Sequence, residues 1–325
     1  MRRLWVIEYH NHKREIIFIN AYLGGFNLFK IRIPATSANL GPGFDCFGLA
    51  LKLYNTFIFD EIPHGFEFIV KFKNKEITVS QEENLVYVAM KKTFEIFNKS
   101  MPGIRLIEEI NIPFSRGLGS SATAILAGIL ASNKILGNPL NNEEILNLAY
   151  KIEGHSDNIV PALNGGFNIT ILANNTIIYK KINVDEDLKI IVAIPEIKIK
   201  TTESRKILPN EISREDAIFN LSRAALLASS FITRDYSHFP VAFQDKLHQN
   251  YRAKLIPGFY DVVNNAYNEG ALGVALSGSG SSIIAFTISN EKNIAQSMIK
   301  TFSKLGIDSE YIITSTDNEG ALIID

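Results

Sequence analysis

Pro113-Phe114-Ser115-Arg116-Gly117-Leu118-Gly119-Ser120-Ser121-Ala122-Thr123 sets two glycines and two adjacent serines directly ahead of a long apolar run. Glycine lets the backbone curl so that successive N–H groups point inward. A helix N-terminus adds about half a positive charge and unpaired amides. Together these suit a polyphosphate, and serine hydroxyls at such a turn reach a phosphate oxygen or a magnesium ion. The run that follows is apolar nearly all round, which predicts a buried helix from Ser120 to about Leu136, stopped by Gly137-Asn138-Pro139. Read locally, the stretch also fits a glycine turn before a serine-capped helix. It further fits the loose G-x-G-x-x-A dinucleotide fingerprint. That form needs an acidic residue at a strand end about 20 residues on, where Asn142-Glu143-Glu144 instead reads as a helix start. No G-x-x-x-x-G-K-[ST] occurs, which excludes a Walker-type NTPase.

Upstream, alternation predicts a strand over residues 30–33, ended by Pro34, with residues 34–45 largely loop. Strands are expected over 53–59, 65–72 and 105–112, and a helix over 83–97. Downstream come a helix from 142 to about 152 and strands from 165 to about 181. The polar segment Asn183-Val184-Asp185-Glu186-Asp187 marks a boundary. Beyond it a strand over 188–194 precedes helices near 213–232, 240–248 and 257–268, then a strand, the glycine loop Ser277-Gly278-Ser279-Gly280-Ser281-Ser282, and a strand. Strands and helices mix without strict βαβ alternation, so the fold class is α+β. The expected organisation is a domain over 29–184, a second over 185–325, and a non-core leader over 1–28. Residues 1–28 lack a clear period, and one reading starts translation near Leu28.

The chain has 325 residues, which suits two domains. Its 33 basic and 34 acidic side chains leave a net charge of −1, no global field for nucleic acid or an anionic membrane. The one cysteine, Cys46, excludes an intramolecular disulfide, matches a cytoplasmic setting, and reads as a packing residue. No apolar run reaches the ~20 residues of a membrane helix.

The phosphate-type loop resembles that of the GHMP kinases. Three further segments resemble specifically the homoserine kinase branch: Pro34-Ala35-Thr36-Ser37-Ala38-Asn39-Leu40-Gly41-Pro42-Gly43-Phe44-Asp45, residues 153–166 beginning Glu153-Gly154-His155-Ser156-Asp157-Asn158, and Tyr251-Arg252-Ala253-Lys254-Leu255-Ile256-Pro257-Gly258. The glycine loop at 277–282 resembles the third shared motif. The matches run in order from about residue 30. The resemblance implies a two-domain GHMP kinase fold, with an N-terminal domain like ribosomal protein S5 domain 2 and a ferredoxin-like C-terminal domain. It implies ATP and Mg2+ as cofactors, L-homoserine as substrate, O-phospho-L-homoserine as product in threonine biosynthesis, and a homodimer as a possible assembly. Two rivals remain at this stage: another small-molecule GHMP kinase, and a catalytically silent ATP-binding protein on the same fold.

The resemblance also implies roles. Residues 113–123 would bind ATP. Ser121 and Glu153 would hold magnesium, although only three residues separate Glu153 from Asp157, a shorter connection than many members have. Arg205 and Arg252, with Thr201 near the first, would take the substrate carboxylate, for which the guanidinium fork is suited. Asp45, with Asn39 alongside, would take the ammonium. Asn158 and Asp157 would serve the reacting hydroxyl, with His155 beside them. The first motif has Ser37 and Asn39 and no lysine, so no aspartate–lysine pair supplies a base.

Overall fold

In a computed structural model the chain is described in full from residue 28 to residue 325, and before that by the backbone of two strands, β1 (Arg2–His10) and β2 (Lys13–Ala21). These two pair antiparallel with each other. The expectation of a non-core leader over 1–28, and of a start near Leu28, falls largely outside the fully described residues.

The first sheet is built from β3 (Phe29–Ala38), β4 (Phe47–Glu61), β5 (Phe66–Phe72), β6 (Lys75–Ile77) and β7 (Ile104–Ile110). Helix α1 (Leu85–Ile96) lies between β6 and β7 in the chain, and β5 pairs parallel to β7. Helices α2 (Ser120–Ile135), α3 (Asn142–Glu153) and α4 (Ser156–Asn164) follow, then the hairpin β8 (Phe167–Ala173) and β9 (Thr176–Ile182), which joins the sheet through β4. Apolar residues of α1–α4 and the inner face of the sheet, among them Phe57, Leu106, Ile125 and Ile159, form one core.

The second half begins with β10 (Lys189–Pro195), α5 (Thr201–Lys206), α6 (Arg214–Thr233), α7 (Phe239–Ala242), α8 (Gln249–Arg252) and α9 (Phe259–Asn268). It continues with β11 (Gly273–Leu276), β12 (Ile283–Thr287), α10 (Glu291–Lys304) and β13 (Ser309–Thr314). Its four strands form an antiparallel sheet in the order β11-β12-β10-β13. Side chains alternate along β10. Ile190, Val192 and Ile194 face a core shared with β3, β4 and an aromatic cluster around Phe231, while Ile191 and Ala193 face α9 and α10. Both faces are therefore buried. The last strand, β14 (Leu322–Ile324), pairs with β3, so the end of the chain extends the first sheet rather than the second. This mixture of helices with two separate sheets is the α+β class expected above.

Two expectations for local structure are corrected. Pro34 does not end a strand: β3 runs on to Ala38, and the register against β4 slips from Pro34↔Tyr54 to Ala35↔Leu51. A bulge there absorbs the donor that proline lacks. Of the helix expected over 240–248 only the short turn α7 forms, residues 243–248 are irregular, and α8 starts just beyond them. The Asp245 carboxylate accepts from the backbone N–H groups of Leu247, His248 and Gln249, which breaks the first turn and starts the next.

Candidate active site

Helix α2 lacks the side-chain N-cap that α1, α3 and α6 carry. Asn84 caps α1, Asn141 and Glu144 form a capping box on α3, and Ser213 caps α6. At α2 the cap is Gly119, in the left-handed region at φ 69°, with no side chain to accept from the first turn. The amides there are left for another acceptor. Gly119 is also obligatory on space: a Cβ would lie 1.9 Å from Thr36 Oγ1. That gap lets Thr36 Oγ1 donate to Asn158 Oδ1 at 2.8 Å, which ties β3 to the start of α4 across the loop.

The loop is fixed from the second half of the chain as well. A Cβ at Gly117 (φ 72°) would lie 2.0 Å from the Ser277 carbonyl oxygen. Ser277 Oγ donates to the Gly117 carbonyl at 2.7 Å, and the Gly278 amide donates to the Ala38 carbonyl at 3.0 Å. Arg116 is almost fully buried, and its Nη2 contacts Glu196 Oε2 at 3.0 Å. Asn55, buried on β4, accepts from the amides of Asn111 and Ile112 and donates to Thr123 Oγ1 at 2.9 Å. Thr123 and Ala122 thus belong to the support beneath the loop. All the other expected site residues line one cleft of about 710 Å³.

At the helix start, Ser121 Oγ donates to Glu153 Oε1 at 2.5 Å. Burial pushes the Glu153 carboxyl up, against the hydrogen bond from Ser121 that lowers it. After Glu153, Gly154 in the left-handed region (φ 88°) ends α3 and the chain turns directly into α4. No group of three or more His, Cys, Asp or Glu gathers among the described residues. The pair supplies two hard oxygens, and a magnesium ion there would complete its shell with phosphate oxygens and water.

Asp157 and Asn158 open α4. The helix contains Pro161, which cannot donate to the Asp157 carbonyl, and the β4 backbone at Gly48 approaches that oxygen so closely that a Cβ would lie 1.8 Å from it. Asn158 Nδ2 donates to Asp157 Oδ1 at 3.3 Å. Burial first, then Asp45, push the Asp157 carboxyl up to about 7, against Arg205 and the Asn158 backbone amide, which lower it.

Arg205 on α5 holds Asp45 with both arms and donates from Nη2 to His155 Nδ1 at 3.2 Å. Burial, then the Arg205 charge, lower the His155 pKa, which keeps the ring neutral and able to accept. Arg252 is buried to 2% exposure. Its Nε donates to the Ser204 carbonyl at 3.3 Å and its Nη1 to the Gly278 carbonyl at 3.0 Å. Nη1 also lies 3.3 Å from His248 Nδ1, whose ring bonds through Nε2 to the Gly41 carbonyl at 2.8 Å. Burial, then Arg205, lower the Arg252 pKa to about 10, so it stays charged at neutral pH. Both guanidiniums lie over the Phe44 ring, at 5.5 and 5.1 Å. Asn39 lines the cleft, but its carboxamide is already committed: Oδ1 accepts from the Asp45 amide and Nδ2 donates to the Gly278 carbonyl. Thr201, the first residue of α5, lines the cleft beside Arg205. Burial pushes up the Cys46 thiol, which packs against the inter-domain core.

Sequence reasoning missed Thr36, Asn55, His248, Asn84 and Glu108. Glu108 had a readable signal, an acidic residue between Leu106 and Ile110 on one face of a strand otherwise apolar on that side.

The N-terminal domain model of the GHMP kinases matches residues 84–166, and the GHMP kinase C-terminal model matches residues 235–304. A homoserine kinase of Halothermothrix orenii is 48% identical over 302 residues, 91% of this chain and 96% of that protein. One from Clostridium botulinum is 42% identical over 91% of this chain and 99% of its own. The crystal structure of homoserine kinase from Cytophaga hutchinsonii superposes with a TM-score of 0.83 at 29% identity, covering 94% of this chain and all of that one. Identity of this degree, sustained across both domains, places the chain in the homoserine kinase family of the GHMP kinases.

Proposed function

We propose that the protein transfers the γ-phosphoryl group of ATP to the side-chain hydroxyl of L-homoserine, giving ADP and O-phospho-L-homoserine. The observation that carries this reading is that Arg205, Arg252 and Asp45 line the same cleft as the uncapped start of α2. A zwitterionic amino acid brings one negative and one positive group, and the Arg205–Asp45 pair is made of the same two charges. The substrate carboxylate takes the place of Asp45 at Arg205, and the ammonium takes the place of Arg205 at Asp45. Neither protein charge is left unpaired, which would cost several kcal/mol if it were.

The α2 amides and the Gly117–Gly119 turn receive the phosphates. Ser121 and Glu153 would hold magnesium, which when bound neutralises phosphate charge. Asn158, fixed by Thr36, and Asp157 position the hydroxyl. Phosphoryl transfer passes through a loose transition state, so positioning and fixed dipoles supply most of the acceleration. Asp157 is the carboxylate whose acidity suits it to receive the hydroxyl proton near neutral pH.

A coupled ADP-release assay with homoserine, mevalonate, galactose and shikimate tests the reading. Turnover is expected with homoserine and at background level with the other three. Faster turnover on a substrate lacking the α-amino acid group, or no ADP release at all, would overturn it.

A further inference from the structure

Arg252 reaches the cleft with most of its hydrogen-bonding capacity already committed. A guanidinium carries five N–H donors in a planar fork. Here Nε donates to the Ser204 carbonyl, and Nη1 meets both the Gly278 carbonyl at 3.0 Å and His248 Nδ1 at 3.3 Å. Among the described residues no acceptor meets Nη2, and Arg252 lines the cleft. One arm is therefore left for a ligand. Its direction is set by what holds the other two nitrogens.

His248 ties that fork to a distant turn. Its ring is wholly buried. Nε2 lies 2.8 Å from the Gly41 carbonyl, which can only accept. Nε2 therefore carries the proton, and Nδ1 is left as the acceptor that faces Arg252. A proton on Nδ1 would set a second cation against the guanidinium. Burial lowers the His248 pKa, Asp245 acts the other way and Arg252 lowers it again, so the ring stays neutral. Asp245 Oδ2 is 3.6 Å from Nε2, but the Asp245 oxygens already accept from the amides of Leu247, His248 and Gln249 and from Asn220 Nδ2. The ring also stacks on Phe44, with centroids 5.2 Å apart, and Phe44 is the ring that both guanidiniums overlie.

Gly41 belongs to the turn that carries Asn39 and Asp45. That turn is held a second time, by Asn220 Nδ2 donating to the Pro42 carbonyl at 3.3 Å. One imidazole thus joins the segment bearing the Asp45 carboxylate to the Arg252 cation. A rigid ring with a donor on one nitrogen and an acceptor on the other suits this span. We infer that His248 is a positioning residue for substrate: it holds the Arg252 guanidinium against the Gly41 turn, so that Nη2 faces the substrate carboxylate in register with Asp45. This inference rests on the reading of the cleft as a homoserine site.

The test is steady-state kinetics of His248→Gln, alone and combined with Arg252→Ala. Glutamine can return an N–H to the Gly41 carbonyl but offers no acceptor where Nδ1 stood. The homoserine KM is expected to rise about tenfold, while the ATP KM moves less than about twofold and kcat less than about threefold. In the Arg252→Ala background the same substitution is expected to change the homoserine KM by less than about twofold, because the group it acts through is gone. Equal rises in both KM values, or an undiminished rise in the absence of Arg252, would show a general structural role and overturn the inference. Should either variant fail to fold, nitrogen NMR of the histidine side chains in the wild type decides. The buried His248 ring is expected to hold the slowest-exchanging N–H of the six imidazoles. That proton is expected on Nε2, with the bare Nδ1 signal moving when homoserine is added. A slowest-exchanging ring protonated on Nδ1, or one that homoserine leaves unmoved, would overturn the assignment. If the wild type does not turn over homoserine, the substrate reading falls and this inference falls with it. Normal wild-type turnover with an unaffected His248→Gln removes the role of His248 alone.

Discussion

Arg205 grips Asp45 with both arms of its guanidinium, Nη2 to Oδ1 at 2.6 Å and Nη1 to Oδ2 at 3.0 Å, across 160 residues of sequence. Both side chains are about one-third exposed, so the pair is within reach of an exchanging ligand. Charge-assisted hydrogen bonds contribute about 1.5–3 kcal/mol each. Arg205→Ala is therefore expected to raise the homoserine KM by about 10–100-fold while the ATP KM moves by less than about threefold. Steady-state kinetics with each substrate varied in turn checks this, and equal rises in both KM values would contradict the carboxylate role.

Arg252 is a different case, because its largely buried fork meets two carbonyls and a histidine at the wall of the cleft. Lysine cannot reach all three from one ammonium. Arg252→Lys is expected to lower stability by about 2–4 kcal/mol as well as to weaken homoserine binding. Chemical denaturation alongside the KM measurement tells whether both effects occur. A variant with wild-type stability would show that the network around Gly278 does not depend on the guanidinium.

Removing the hydroxyl in Ser121→Ala leaves the Glu153 carboxyl buried without its donor. Its pKa, already raised by burial, then rises further. The expected outcome is a kcat that falls at limiting Mg2+ and recovers in part when Mg2+ is raised. A magnesium titration of kcat identical to that of the wild type would remove Ser121 and Glu153 from the metal site.

For Glu108 the folded-state carboxyl sits at about 7 against an unperturbed 4.5. Between those values the folded state holds a proton that the unfolded state has released. Stability therefore falls as pH rises through this window, by about 3 kcal/mol in all. Glu108→Gln removes the titration. Its stability gain over the wild type should be near zero at pH 4.5 and close to that full amount at pH 8, measured by denaturation at both values. A gain that did not grow with pH would show that the carboxyl stays charged in the folded protein.

The rate should follow Asp157 in the opposite sense, since a proton acceptor works only when deprotonated. With the group at about 7, kcat/KM for homoserine is expected to rise with pH and level off above that value. Asp157→Asn should lower the rate and flatten the profile. A wild-type profile flat from pH 6 to pH 8.5 would exclude Asp157 as the acceptor.

Some of this was legible in the chain. Gly117-x-Gly119-Ser120-Ser121 before an apolar run announces an anion site at a helix start, because the conformational demand and the burial pattern are both local. The roles of Arg205 and Arg252 were not legible in that way. They lie 47 positions apart, and only family motifs linked them before the fold brought both over Phe44. Helix α4 was hidden by Pro161 and by its polar opening Ser156-Asp157-Asn158. The course of β3 past Pro34 depended on a bulge that only the partner strand specifies. Thr36, Asn55 and the Ser277–Gly117 contact join segments far apart in the chain, so no window of sequence contains them.

The pairing of β14 with β3 carries a consequence for biosynthesis. Residues 322–324 cover one edge of β3, the strand that leads into the turn carrying Asn39 and Asp45. During translation β3 leaves the ribosome almost 300 residues ahead of them. That edge therefore stays bare, its hydrogen-bonding groups open to any neighbouring nascent chain, for nearly the whole of synthesis. A ribosome stalled before Leu322 would hold a polypeptide with a nearly complete cleft and an unguarded flank.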